Sequence, residues 1–327
     1  MIEIGQHVKM ILDNYSLDIE DVEYICEQFS IGKFKCINKH FENTANVNIL
    51  FETVNGKFVA KFLHTEIERY KSIYKIMKIL HINNVPVLLP LQNNKGEHYT
   101  NIKNYTVQLT PFMEACKFSF EDRQVVSSGM TLKKMHTVLK DYDEITDPIG
   151  SIYPSRKILG EGLTRLKELE DSISLEQFIL TSSLHDEITR MWSNQNNELP
   201  YSIIHGDWNE RNQLFTQQGK VCSVLDFDFV QRKERLFDVA YVLWNFLLHR
   251  DFRHLSKPFM RGYGPLTEQE RNILQVAIAR VSCFFICTAS LSTNPVVQIN
   301  RQLEQQVPFI KYILSKDGEK ELNEICC

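Results

Sequence analysis

The residues able to do chemistry in this 327-residue chain gather in one stretch. His205-Gly206-Asp207 is followed five residues after the aspartate by Asn212, and Val224-Leu225 then delivers Asp226, with Asp228 two residues on. An unpaired buried carboxylate is costly, so acids that directly follow β-branched and leucine residues are hydrogen-bonded, metal-bound or exposed at a strand end. Phosphoryl transfer from a nucleotide needs few parts: a cradle for the phosphates, a cation to orient them, oxygen ligands for a metal, and a carboxylate to take the proton of the attacking hydroxyl. Asp207 can meet a hydroxyl, Asn212 offers an amide oxygen to Mg²⁺, and Asp226 adds the second hard oxygen that this ion prefers.

Two groups of elements must position these residues. Apolar spacing at Ile4, Val8, Ile11, Leu12 and Tyr15 predicts an amphipathic helix over residues 2–15. Residues 49–54 and 57–63 are β-rich runs joined by Asn55-Gly56, the dipeptide of a hairpin whose two turn residues take positive φ. In the second run Lys61 shares a face with Val59 and Leu63, so it either snorkels at a sheet edge or reaches an anion in a cleft. A helix is predicted over residues 67–80, with Glu66 and Glu68 at its start, ending at Asn83-Asn84. A strand over 105–109 runs into Thr110-Pro111-Phe112, and the proline marks residues 110–115 as a linker. From Asp122 the chain turns helical; Val125, Gly129, Leu132, Met135, His136 and Leu139 share one face, where a histidine is ordinarily a hydrogen-bonded core residue.

Composition excludes several classes. The net charge of −4 provides no basic face for phosphate neutralisation and argues against nucleic acid as partner. Residues 1–113 are charge-balanced and the whole deficit lies beyond them, which tilts toward a cationic substrate or simply a solvated acidic surface. No signal-peptide pattern is visible at Met1-Ile2-Glu3-Ile4, and the run from Val281 to Leu291 is too short to span a bilayer, so a soluble, cytoplasmic protein without membrane contact is expected. The eight cysteines show no metal-ligand spacing and read as reduced thiols.

The pattern H-G-D-x-x-x-x-N, then a strand ending L-D-F-D, then F-D-V at a helix start resembles the protein-kinase-like phosphotransferases of small molecules: the aminoglycoside phosphotransferase, choline kinase and homoserine kinase superfamily, with bacterial spore-coat kinase-like proteins as relatives. Glu42 to Asn46 resembles the E-N-x-N segment of a first hairpin in homoserine-kinase-like members, Val59-Ala60-Lys61 the strand with the nucleotide-binding lysine, and Pro111-Phe112-Met113-Glu114 a P-F-x-E hinge. The resemblance implies an α+β, bilobal protein-kinase-like fold. A small antiparallel-sheet lobe over 1–113 binds nucleotide, a hinge lies at 110–115, and a larger helical lobe over 114–327 holds the catalytic loop, metal site and acceptor pocket, the site falling in the cleft between lobes.

It also implies roles. Asp207 is the base and His205 braces its loop; Asn212 and Asp226 bind Mg²⁺, with Asp228 as a second acid there. Lys61 contacts the α- and β-phosphates of ATP, Thr110 and Phe112 meet adenine through backbone C=O and N–H, and the helix partner of Lys61 is Glu68, Glu66 or, as in some relatives, no acid at all. Asp238 holds the catalytic loop's backbone, a role compatible with capping the helix that begins at Val239. Trp208 either plugs the wall or touches substrate. The expected activity is transfer of the γ-phosphoryl group to a hydroxyl of an amino sugar, amino alcohol or hydroxy amino acid, while the oligomeric state is not legible. Where relatives carry a Gly-Gly pair this chain has Lys39-His40-Phe41, so side chains of Asn43, Thr44 or Asn46 take over at the phosphates. That departure also motivates an alternative, a catalytically silent kinase-fold binding or spore-coat-type protein.

Overall fold

Local signals decide where the first sheet forms. In the computed structural model, which describes residues 17–41, 47–63, 66–148, 150–169, 172–194 and 199–326, the strands are β1 (Phe34–Phe41), β2 (Val47–Thr53), β3 (Gly56–Leu63), β4 (Thr100–Ile102) and β5 (Tyr105–Pro111). They make one antiparallel sheet in the order β1-β2-β3-β5-β4. The β2–β3 hairpin forms as expected, but its turn is Val54-Asn55 rather than Asn55-Gly56: Thr53 pairs with Gly56, which takes φ +142°, and Asn55 does not adopt positive φ. The Thr53 hydroxyl explains the shift, since it accepts from the Asn55 N–H (3.1 Å) and donates to the Ile31 carbonyl (2.7 Å).

One face of this sheet carries Ile49, Phe51, Ala60, Phe62, Val107 and Leu109 into a core with Val22, Ile25 and Cys26 of helix α1 (Ile19–Gln28). Each such side chain contributes about 1.5–3 kcal/mol when fully buried. Helix α1 starts at a capping box in which Asp18 and Asp21 satisfy each other's backbone N–H. Helix α2 (Ile67–Ile82) follows the hairpin and stops at Asn83-Asn84, as its pattern predicts. The helix predicted over 2–15 and the segment 42–46 lie outside the described residues.

The described residues divide into two compact units, one ending at residue 81 and resuming over 87–115, the other formed by 82–86 and 116 onward. The second is built on α3 (Asp122–Val138), α4 (Arg156–Glu168), α5 (Leu175–Asn194), α6 (Leu236–Leu248), α7 (Ser256–Tyr263), α8 (Glu268–Thr288), α9 (Pro295–Ile313) and α10 (Lys316–Cys326). Two small ladders interrupt the helices: β6 (Tyr201–Ile204) pairs with β9 (Gln231–Glu234), and β7 (Gln213–Phe215) pairs with β8 (Val221–Val224). Helices α3 and α7 approach closely at Gly129 and Gly262, where an added Cβ would fall 2.3 Å and 2.1 Å from the carbonyl oxygens of Phe259 and Val126.

Helix α8 and the turn after it form an apolar stretch, Glu268–Leu291, long enough by length and composition to cross a bilayer, against the shorter run read from the sequence. Its most apolar window is 78% buried within the protein, so α8 is the central core helix of this unit. The seven described cysteines are free thiols.

Candidate active site

The buried carboxylate of Asp238 ties the site together. It lies in the first turn of α6 with no exposed surface, and the helix takes no side-chain cap from the preceding residue. Its Oδ2 accepts from the His205 N–H (2.8 Å) and its Oδ1 from the Gly206 N–H (3.0 Å), while the His136 Nε2–H reaches Oδ2 at 2.9 Å. Asp238 thus braces the loop after β6, as the resemblance implied, rather than capping its own helix. His136 passes the connection on: its Nδ1 accepts from the Tyr263 hydroxyl at 3.0 Å. Burial pushes the Tyr263 phenol pKa up, so that hydroxyl keeps its proton. The close α3–α7 packing brings these two side chains together.

His205 is fully buried and does not reach solvent. Its Nδ1 accepts from the Asp207 N–H (3.3 Å), which leaves Nε2–H to donate to the Leu225 carbonyl (3.0 Å). The ring therefore ties the Asp207 loop to the residue before Asp226, and His205 positions rather than reacts. Gly206 takes φ +81°, and an added Cβ would lie 2.4 Å from the Phe229 carbonyl oxygen, so only glycine allows this turn. Trp208, open in the sequence between wall and substrate contact, is 1% exposed and donates its indole N–H to Ser128 (3.0 Å); it plugs the interior.

Asp207 is half-buried with both carboxylate oxygens engaged. Oδ1 accepts from Asn209 Nδ2 (2.7 Å) and the Tyr241 hydroxyl (3.0 Å), and Oδ2 accepts from Asn212 Nδ2 (2.9 Å). Asn212 Nδ2 also meets the Asp207 carbonyl (3.0 Å), which fixes the amide's orientation and turns its Oδ1 away from the carboxylate. The β7–β8 register then brings Asp226 close: Gln213 pairs with Val224, and the Leu225 N–H donates to the Asn212 carbonyl at 2.8 Å. Asp226 itself stands at φ +60°, ψ +70°. A left-handed aspartate costs about 1–2 kcal/mol and persists where surrounding bonds over-determine it, a state typical of functional sites. Asp228 follows, half-buried in the turn Phe227–Phe229.

These residues fit a hard divalent cation. Asn212 Oδ1 and the Asp226 carboxylate are two oxygen donors on adjoining backbone, a suitable set for Mg²⁺, which takes one or two protein ligands and completes its shell with water and phosphates. Among the described residues no group of three or more His, Cys, Asp and Glu side chains gathers as a metal cage.

In the sheet unit, Lys61 lies on the middle strand, opposite Asn48 of β2 and Gln108 of β5, so it does not snorkel at a sheet edge. Thr110 shares that face, opposite Val59. Two expectations are corrected. The Phe112 N–H donates to the Lys57 carbonyl at 2.9 Å, because β5 continues through Pro111 and prolongs its ladder with β3, so it is not held out for adenine. Glu68 is 83% exposed and paired with Lys71 of its own helix at 2.8 Å, an i,i+3 contact that takes it away from Lys61. Asn46 lies outside the described residues.

Sequence reasoning missed Tyr241, Asn209 and the bridging part played by His136. Tyr241 had a readable signal, since it stands three residues after Asp238 and shares its helix face.

The chain matches the model of the APH phosphotransferase enzyme family over residues 39–273, well over half its length. It belongs to that family, and is a phosphotransferase. Among solved structures, the microcompartment-associated aminopropanol kinase superposes with a TM-score of 0.74 at 12% identity, covering 93% of this chain and 100% of that one. The amicoumacin kinase hAmiN, solved with AMP-PNP, Ca²⁺ and Ami, gives 0.69 at 13% identity over 93% and 96%. The Plasmodium vivax ethanolamine kinase gives 0.55 at 16% over 84% and 83%. At these identities the likeness is one of fold, the bilobal protein-kinase-like architecture. No curated protein matches the chain in sequence.

Proposed function

We propose that this phosphotransferase is an ATP- and Mg²⁺-dependent kinase that transfers the γ-phosphoryl group to a hydroxyl of a small molecule, such as an amino sugar, an amino alcohol or a hydroxy amino acid. The observation that carries the reading is the Asp207 carboxylate held by Asn212 Nδ2 while the oxygen of the same amide faces away, on backbone joined to Asp226. One short segment thus presents a proton acceptor and a pair of metal ligands. Asp207 orients the acceptor hydroxyl and takes its proton. Asn212 and Asp226, with Asp228 beside them, hold Mg²⁺, which when bound neutralises charge on the phosphates. Lys61 contacts the α- and β-phosphates. Solved proteins of this fold have been captured with AMP-PNP or ADP, which supports nucleotide as donor.

The test is ADP release from MgATP across ethanolamine, L-serine and glucosamine, with wild type and Asp207→Asn. Loss of a general base typically costs 10² to 10⁴-fold, and that fall is expected in kcat. A variant that turns over like wild type would overturn the assignment of Asp207.

A further inference from the structure

The hydrogen bonds around Asp207 distinguish its two oxygens. A carboxylate offers about two lone-pair positions at each oxygen. At Oδ1 both are used, by Asn209 Nδ2 at 2.7 Å and by the Tyr241 hydroxyl at 3.0 Å. At Oδ2 one is used, by Asn212 Nδ2 at 2.9 Å. The geometry assigns Tyr241 as a positioning residue that, together with Asn209, saturates Oδ1 and commits Oδ2, the oxygen beside Asn212, to the acceptor hydroxyl. This inference rests on Asp207 being the base proposed above.

Tyr241 is built to stay a donor. It is 8% exposed, and its ring stacks between Phe237 (centroids 6.0 Å apart, planes at 16°) and Trp244 (5.8 Å, 13°). Trp244 is fixed in turn by its indole N–H, which lies 3.0 Å from both Ser282 Oγ and Gln306 Oε1, and by stacking on Phe285 at 4.6 Å. The phenol therefore cannot swing off Asp207 without breaking a stacked column. Its oxygen stays protonated, because burial and the adjacent Asp207 charge both oppose a phenolate.

In the step this implies, the acceptor oxygen forms its bond to the γ-phosphorus as the bond from that phosphorus to the bridging oxygen of ADP breaks. The hydroxyl proton passes to Asp207 Oδ2 and leaves to solvent as ADP departs. Tyr241 and Asn209 exchange no proton. They hold the carboxylate in the rotamer that turns Oδ2 toward the hydroxyl.

The experiment is Tyr241→Phe, which deletes the hydroxyl and keeps the stacking ring, with Asn209→Ala and the double variant beside it. Each is assayed with MgATP and whichever of ethanolamine, L-serine and glucosamine turns over, or with water as acceptor when none does. Losing a hydrogen bond to a charged group should lower kcat for Tyr241→Phe by about tenfold or more. The KM for MgATP should stay within about twofold and the MgATP-induced thermal shift should persist, a split that a merely structural defect would not produce. Because both donors serve one oxygen, the double variant should lose less than the product of the two single effects. Wild-type kcat in Tyr241→Phe, or parallel loss of kcat and nucleotide binding, overturns the assignment. Failure of the parent reading looks different: Asp207→Asn would then retain wild-type turnover.

Discussion

Replacing Asp238 by asparagine, and separately by alanine, probes the brace beneath the loop that follows β6. The carboxylate receives three buried donors: the His205 and His136 N–H groups at Oδ2 and the Gly206 N–H at Oδ1. An amide keeps one oxygen, so its NH₂ group must face an N–H on one side. The lesser loss sets the NH₂ against Gly206, sacrificing one bond and leaving both the Gly206 N–H and the new NH₂ without an acceptor, at about 3 kcal/mol. Alanine strands all three donors at about 1–3 kcal/mol each, or about 5 kcal/mol in all. For a chain of this size roughly 1.5 °C of Tm follows each kcal/mol, giving drops of about 5 °C for Asp238→Asn and about 8 °C for Asp238→Ala. Because the bond given up anchors Gly206, next to Asp207, the asparagine variant should also lose tenfold or more in kcat, as misplacing a reacting group by about 1 Å can cost about 10². Thermal melts beside MgATP turnover read both effects. An asparagine variant that melts with wild type, or an alanine variant no worse than asparagine, would refute the brace.

The packing around the site sets three further outcomes. Gly206→Ala places a methyl 2.4 Å from the Phe229 carbonyl oxygen at a backbone with φ +81°, so turnover should fall together with stability, the latter by about 2–3 kcal/mol in denaturant titration. Glu270, fully buried, is opposed by desolvation, yet the bidentate Arg235 contacts at 2.8 and 2.9 Å and the Thr267 N–H bring its pKa below the ordinary 4.5. Its stabilisation is therefore full above that ordinary value and is lost as pH falls through the depressed folded value. Glu270→Gln should destabilise by about 3 kcal/mol near neutrality and flatten the acid limb of a stability-versus-pH curve; an unchanged acid limb would contradict the pairing. Lys61→Met should raise the KM for MgATP while leaving Tm within about 2 °C, since the side chain is a half-exposed member of the middle strand rather than of the core.

The parts of the fold legible in the sequence were those with local causes. The β2–β3 hairpin, the helix ending at Asn83-Asn84 and the α3 face running from Val125 to Leu139 each follow from periodicity or turn chemistry within a few residues. The candidate site was legible where its members are neighbours in sequence, from His205 to Asp226. What escaped was set by competing partners. A hydroxyl on Thr53 moved the turn off Asn55-Gly56, Lys71 claimed Glu68, and Lys57 claimed the Phe112 N–H. In each case a nearer partner satisfied a polar group before the remote role could. His136 was read as a satisfied core histidine, and it is one, but what satisfies it is Asp238, 102 residues away.

That connection bears on how the site keeps its shape. The candidate site sits on three backbone segments, the end of β6, the β7–β8 hairpin and the start of α6, and none of them is long enough to be rigid alone. They are joined by buried and part-buried polar contacts: Asp238 to His205 and Gly206, His205 to Leu225, Asn212 to Leu225, and Tyr241 to Asp207. Apolar packing is tolerant of sub-ångström slippage, whereas a buried donor left without its acceptor costs about 1–3 kcal/mol, so polar links define relative position more sharply than their net stabilising worth suggests. The start of α6 is itself pinned by Arg235 to Glu270 on α8, the central helix. A disturbance at Glu270 should therefore reach Asp207 through Asp238 with no contact between the two, and the coupling free energy from a double-mutant cycle of Glu270→Gln with Tyr241→Phe measures how much of the site's order is carried by this chain of bonds.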